Sequence, residues 1–125
     1  LAAAPPLQSI SLVRVRVGFS NDVLKVKIES DGSYQISRRG GGGASSSTRG
    51  QLTEDQKRQF AAAFAGWEKL ESYYSPPGGA EEEFRFELAY GEKLIVASDA
   101  ALNLPARFRE AYRRLRDLVS AAGML

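Results

Sequence analysis

The residue types that most often carry chemistry are thinly supplied in this chain, and two of them are missing. Among the 125 residues there is no histidine and no cysteine. The commonest general base, proton shuttle and transition-metal ligand is therefore absent, together with thiolate nucleophiles, disulfides and cysteine-based zinc or iron–sulfur sites. Four groupings remain to be weighed. Ser98-Asp99 with Lys93 has the residue types of a serine–lysine nucleophile, but no motif accompanies it that would build an oxyanion hole. Glu81-Glu82-Glu83 could offer carboxylates to a hard cation, with Asp99 or Glu87 nearby in space. Consecutive residues of a strand point to opposite faces, however, and the alternating Asp/Asn pattern of a calcium loop is absent. The three glutamates read better as a solubilising, edge-protecting start to a strand. Gly40 to Gly43 could cradle an anion through backbone N–H groups, yet neither a phosphate loop with its lysine nor the G-x-G-x-x-G spacing is present. Finally, Arg14, Arg16, Lys25 and Lys27 are expected on one exposed sheet face, with no aromatic residue interleaved for base stacking, so a solvated face is the default. No catalytic residue, metal ligand or cofactor is assigned, and the chain is read as a non-enzymatic protein.

The elements that would position these residues follow from hydrophobic periodicity. Residues 9–18, SISLVRVRVG, form a strand whose apolar parity changes at Leu12-Val13, which predicts a bulge there with Arg14 and Arg16 pointing outward. After turn chemistry at residues 18–22, Leu24, Val26 and Ile28 alternate with Lys25, Lys27 and Glu29 in a second strand. Asp31-Gly32 predicts a two-residue type I′ hairpin turn into Tyr34 and Ile36. The glycine- and serine-rich segment 39–50 offers little to bury and is expected to be a flexible loop. Thr53 and Gln56 have capping-box spacing, and Phe60, Phe64, Trp67, Leu70 and Tyr74 then recur at three and four residues, so one helix is expected up to Pro76-Pro77. Its aromatics belong to the core rather than to a ligand cage. Phe84, Phe86, Leu88 and Tyr90 alternate, Gly91-Glu92 suits a type II′ turn, and residues 94–97 return as a partner strand. Leu104, Phe108, Tyr112, Leu115 and Val119 form the stripe of a last helix that begins after Pro105 and ends before Gly123, its arginines coating the outer face.

These elements predict an α+β fold: an antiparallel meander sheet of four to five strands with two helices packed on one face, in the order strands, helix, hairpin, helix. The expected organisation is an extended N-terminal segment, 1–8, and a single domain, 9–122. Apolar residues make up 43% and charged residues 26%, proportions of a chain that folds around a core. The net charge of +2 is unevenly spread, with basic ends and an acidic stretch at residues 51–104. A nucleic-acid partner is not expected from such a distribution, because it breaks up the basic stripe that polyanion binding needs. No run reaches the length of a membrane span. Leu1-Ala2-Ala3-Ala4-Pro5-Pro6 reads either as the start left by signal-peptide cleavage or as an arbitrary cut; the first is preferred, which places the chain in the periplasm or among secreted proteins.

From Val26 to Val119 the order of motifs resembles that of emfourin-like proteins, small bacterial inhibitors of thermolysin-type metallopeptidases of the protealysin kind. The residues that carry the resemblance are Lys27-Ile28-Glu29-Ser30-Asp31-Gly32-Ser33-Tyr34, the helix introduced by Gln51-Leu52-Thr53, the strand Phe84-Arg85-Phe86-Glu87-Leu88, Leu94-Ile95-Val96-Ala97-Ser98-Asp99, and a closing helix after Leu104-Pro105. Family members tend to carry paired glycines in the first turn, where Ser33 follows Gly32 here. The resemblance implies a non-enzymatic protein that occupies a peptidase cleft through loops at one end of its sheet. Expected contact residues are Asp31, Gly32, Ser33 and Tyr34 of the hairpin turn with Arg38 and Arg39, since Tyr and Arg concentrate at binding hot spots and binding residues concentrate on loops. The alternative is an accessory subunit docked on a larger exported or membrane-bound complex, tethered by its Ala/Pro-rich N-terminus.

Overall fold

Side-chain alternation organises the sheet. In the computed structural model, which describes residues 5–40 and 44–124, Ile10, Leu12 and Arg14 of β1 (Ile10–Arg16) are buried while Ser11, Val13 and Val15 face the other way. The same parity runs through β2 (Phe19–Ile28) and β3 (Ser33–Arg39), where Leu24, Val26, Ile28 and Ile36 are buried. It continues in β6 (Phe84–Tyr90) and β7 (Lys93–Ser98) through Phe86, Leu88, Ile95 and Ala97. With β4 (Ser45–Gln51) and β5 (Tyr73–Tyr74) the sheet has seven strands in the order β4-β3-β2-β1-β6-β7-β5. All pairs are antiparallel except β5 with β7.

Helices α1 (Glu54–Ala63) and α2 (Ala106–Ala121) cover one face of this sheet. On β6, Phe86 meets Phe108 and Tyr112 of α2 at 5.9 and 4.7 Å between ring centroids, and Tyr90, of the same parity, stacks on Phe64 at the end of α1 at 4.6 Å. Trp67 lies between the helices, edge-on to Phe64 at 4.9 Å and stacked on Phe108 at 5.6 Å. The α1 capping box forms as its spacing predicts: Thr53 Oγ1 accepts from Gln56 N at 3.1 Å, and Gln56 Oε1 accepts from Thr53 N at 2.8 Å. Such a cap contributes about 1 kcal/mol by satisfying N–H groups that the helix itself leaves free. Arg107 serves the other end of α1, donating from Nη1 to the carbonyls of Ala62 and Ala63 at 3.2 and 3.5 Å, where a cation also complements the helix dipole. Leu7, within the expected N-terminal extension, joins the core.

Five expectations are corrected. The sheet has seven strands rather than four to five, the additional ones being β4 and β5. The expected flexible loop at 39–50 contains β4, in register with β3 from Ser33↔Gln51 to Arg39↔Ser45. Backbone hydrogen bonding to an existing strand, not burial of side chains, forms this element, so a composition poor in apolar residues does not prevent it. Gly41 to Gly43 of the expected glycine loop lie outside the described residues. The helix expected to run to Tyr74 stops at Ala63: Gly66 at φ 80° turns the chain, Trp67–Lys69 form a short 3₁₀ turn, and Tyr74 reaches the core from β5. Glycine takes this left-handed conformation without the steric cost other residues bear. The first hairpin has no bulge at Leu12-Val13; its register shifts between Val15 and Arg16. Arg14 consequently points inward and Val13 outward. Last, Glu81 to Glu83 do not guard a sheet edge, because β6 lies between β1 and β7.

Candidate functional site

The turn between β2 and β3 is built differently from a two-residue hairpin. Gly32 N donates to Glu29 O at 2.9 Å and Glu29 N to Ser33 O at 2.8 Å, so Ser30, Asp31 and Gly32 form a three-residue loop with Gly32 at φ 91°. A type I turn followed by a left-handed glycine gives this geometry and needs no positive φ at Asp31. The loop is braced from three sides. Asp31 Oδ1 accepts from the N–H and hydroxyl of Ser33 at 2.9 and 2.7 Å. Gln51 Nε2 donates to Asp31 O at 2.8 Å, and Leu52 N donates to Gly32 O at 2.9 Å. A Cβ added at Gly32 would lie 2.9 Å from Gln51 Nε2 and 3.0 Å from Lys57 Cδ, so the β4–α1 junction is packed directly on the turn.

These hydrogen bonds set the protonation behaviour of Asp31. The Ser33 hydroxyl first, then the Ser33 N–H, and further the Lys57 charge hold its carboxyl below the ordinary aspartate range. A carboxyl depressed in the folded state stabilises the turn above its unfolded pKa, and that contribution is lost as pH falls through the folded value. In an NMR pH titration, the Asp31 carboxyl and the Ser33 amide are expected to move together with a midpoint below that of an unstructured aspartate. A midpoint at the unstructured value would show that the turn is open in solution.

The six expected contact residues do not form one surface. Asp31 to Tyr34 stand at the start of β3, whereas Arg38 and Arg39 lie at its far end, four to five residues or about 13–17 Å further on. Tyr34 is half-buried and packs against the core, its ring so close over the paired Gly50 that a Cβ there would sit 2.3 Å from Tyr34 Cζ. Arg38 is engaged internally, with Met124 O at 3.4 Å and Asp22 Oδ1 at 3.8 Å. Arg39 faces the opposite side of the sheet. A shallow groove of about 380 Å³ at this end of the sheet is lined by Arg39 and by part of Arg38, with Val23, Lys25, Ser37 and the serines of β4.

The uncovered face of the sheet is a second feature. Val13, Val15, Val23 and Val96 are half-buried on it with no helix above them, and Leu94 and Tyr73 are 47% and 62% exposed. Lys25 and Lys27 belong to this face, but Arg14 does not, which dissolves the four-cation patch expected from sequence.

Arg14 instead lies against Tyr112, one of the residues lining a cleft that sequence reasoning missed. Only 7% of the residue is exposed; its guanidinium lies 4.4 Å from the centroid of the Phe84 ring, and Nη1 donates to Tyr112 Oη at 2.8 Å. No ion pair holds it among the described residues. On the outer side of Tyr112 a cleft of about 350 Å³ opens between α2 and the sheet, walled by Phe86, Leu104 and Phe108 and rimmed by Arg109, Arg113 and Arg116. Arg113 is paired with Glu110, whose carboxyl is held low by the hydrogen bond from Arg113, with Arg114 adding to it. The side chains of Arg109 and Arg116 have no ion pair or hydrogen bond among the described residues. The only trace of this cleft in the sequence was the spacing Arg109, Tyr112, Arg113, Arg116, which places all four on one helical face.

The remaining sequence candidates are not assembled for catalysis. Ser98 is buried and its hydroxyl accepts from Ala100 N, and Lys93 stands at the other end of β7, about 17 Å away along the strand. Glu82 pairs with Arg85, and Asp99 Oδ1 accepts from Glu83 N at 3.1 Å. No group of three acidic side chains converges as a cation site among the described residues, and no helix there is long and apolar enough to cross a membrane. No protein-family model matches the chain, and no curated protein matches it either.

Proposed function

We propose that this domain is a non-enzymatic protein-binding module that inhibits a thermolysin-like metallopeptidase, acting outside the cytoplasm. The partner class comes from the resemblance to emfourin-like proteins. The observation that carries the proposal is the braced turn at Ser30 to Ser33. Ser30 and Asp31 are exposed at the tip while Gln51, Leu52 and Lys57 hold the loop from behind. A loop already ordered before it meets its partner loses little conformational entropy on binding, which is the property a cleft-filling inhibitor requires. Tyr34, Arg38 and Arg39 are not part of the proposed contact, since the first two are engaged within the fold and the third lies at the far end. The test is an activity assay on a panel of thermolysin-like enzymes with stoichiometric protein. Loss of activity that saturates at one equivalent is expected, relieved when Asp31→Ala and Gly32→Val loosen the turn. Full peptidase activity at large excess would remove the inhibitor reading.

A second reading, an accessory subunit stably docked on a larger complex, is favoured by the bare sheet face. Its half-buried valines and exposed Leu94 and Tyr73 are where a partner would cover apolar surface. Co-purification lost on Val13→Lys, with inhibition unaffected, would assign the sheet face to that role.

A further inference from the structure

We propose that the cleft between α2 and β6 binds a small anionic molecule: a carboxylate or phosphate attached to an apolar body, held by Tyr112, Arg109 and Arg116. The inference is independent of the peptidase reading and starts from Arg14. Taking a guanidinium out of water is costly unless a negative charge or a full set of acceptors compensates. Arg14 has a phenolic oxygen and the face of Phe84, neither of which carries a formal charge. Every buried side-chain nitrogen in the described structure nevertheless either has a partner or keeps contact with solvent, so the cation is oriented rather than orphaned. Its orientation is set by Tyr112.

Tyr112 transmits that charge to the cleft. A phenol both accepts and donates. Since its oxygen accepts from Arg14, its proton is left to donate elsewhere, and Tyr112 lines the cleft. A donor whose oxygen already accepts from a cation is polarised toward an anion, because hydrogen bonds in a chain reinforce one another. Arg109 and Arg116 stand one turn before and one turn after Tyr112, about 10.5 Å apart along the axis, and their long side chains can close on a group seated over the hydroxyl. Glu110 engages Arg113 and Arg114 and leaves these two arginines available. Asp99, the one carboxylate lining the cleft among the described residues, is exposed and accepts from Glu83 N.

The walls define the rest of the ligand. Phe86, Leu104 and Phe108 are apolar, and a volume of about 350 Å³ falls in the range of small-molecule sites. Phe86 and Phe108 are buried at the back of the cleft, so bare phosphate would leave half-buried Leu104 and the Tyr112 ring against water, and an uncharged aromatic would leave the cations unanswered. An aryl or alkyl anion satisfies both.

The single tryptophan reports on occupancy, because Trp67 stacks on Phe108, one of the cleft walls. The full chain is titrated at low salt with phenyl phosphate and phenylacetate, with inorganic phosphate and benzyl alcohol as the charged-only and apolar-only controls. Saturable change of Trp67 fluorescence is expected for the two aryl anions, with each control weaker by about tenfold or more, as charge-assisted bonds and apolar contact are both required. The Arg109→Gln/Arg116→Gln variant, altered only at exposed positions, should keep its thermal midpoint and lose about tenfold in affinity. Absence of a saturable response by about 10 mM, a regime of negligible affinity, overturns the proposal. So does equal affinity for benzyl alcohol, or affinity unchanged in the double variant.

Discussion

Trp67→Ala is expected to lower the unfolding free energy by about 3–5 kcal/mol, the range for removing a large buried aromatic. Trp67 is 0% exposed, touches Phe64 and Phe108 through its rings, and donates from Nε1 to Lys93 O at 3.2 Å. Alanine removes the ring area, opens a cavity between the helices and leaves the Lys93 carbonyl without that donor. Against a total stability of about 5–15 kcal/mol for a domain, the variant should unfold at much lower urea or lose its cooperative transition altogether. Trp67→Phe, which keeps much of the ring contact, is expected to lose far less. Equal stability of Trp67→Ala and the parent would mean that the aromatic cluster is not the interior of the fold but the lining of an open cavity.

A second large effect is expected at the Arg14–Tyr112 pair. Tyr112→Phe retains the ring against Phe86 but deprives a buried guanidinium of its hydrogen-bond acceptor, which should cost about 2–3 kcal/mol. Arg14→Met removes the charge itself, and replacing a buried ion by an apolar side chain of similar length is often neutral or stabilising, so this variant should stay within about 1 kcal/mol of the parent. The two changes are coupled. Once Arg14 is methionine, Tyr112→Phe has no cation to strand and should add little, a non-additivity that a double-mutant cycle in urea measures directly. Additive losses would show that the 2.8 Å contact contributes nothing in solution.

Both variants probe different sides of the same arrangement. The Trp67 cluster is pure interior, whereas Arg14 is charge held under a tyrosine that also faces solvent. A stability gained in Arg14→Met alongside weaker anion binding would be the signature of a group retained for recognition rather than for folding.

Where side chains alone decide burial, the amino-acid sequence was sufficient. The alternation in β2 and β6, the Phe108-to-Val119 stripe of α2, the Thr53–Gln56 cap and the Gly91-Glu92 hairpin all appear where periodicity and turn chemistry place them, because each is settled by neighbours a few residues away. These elements suffice for an α+β chain with two helices on an antiparallel sheet. Tertiary structure decided what local pattern leaves open. Strand β4 exists because β3 offers it a row of backbone partners, not because Ser45 to Gly50 have anything to bury. The stripe from Phe60 to Tyr74 has helical spacing, yet Gly66 turns the chain and a 3₁₀ turn and a short strand deliver Trp67 and Tyr74 to the same core. Arg14 carries the deepest consequence. Its alternation with valines is compatible with either face, and the register with Leu24 and Phe86 selects the inner one, where Phe84 and Tyr112 meet a cation that composition alone would assign to solvent. A two-residue period specifies that neighbours face opposite ways; only the partners across the sheet determine which way is inside.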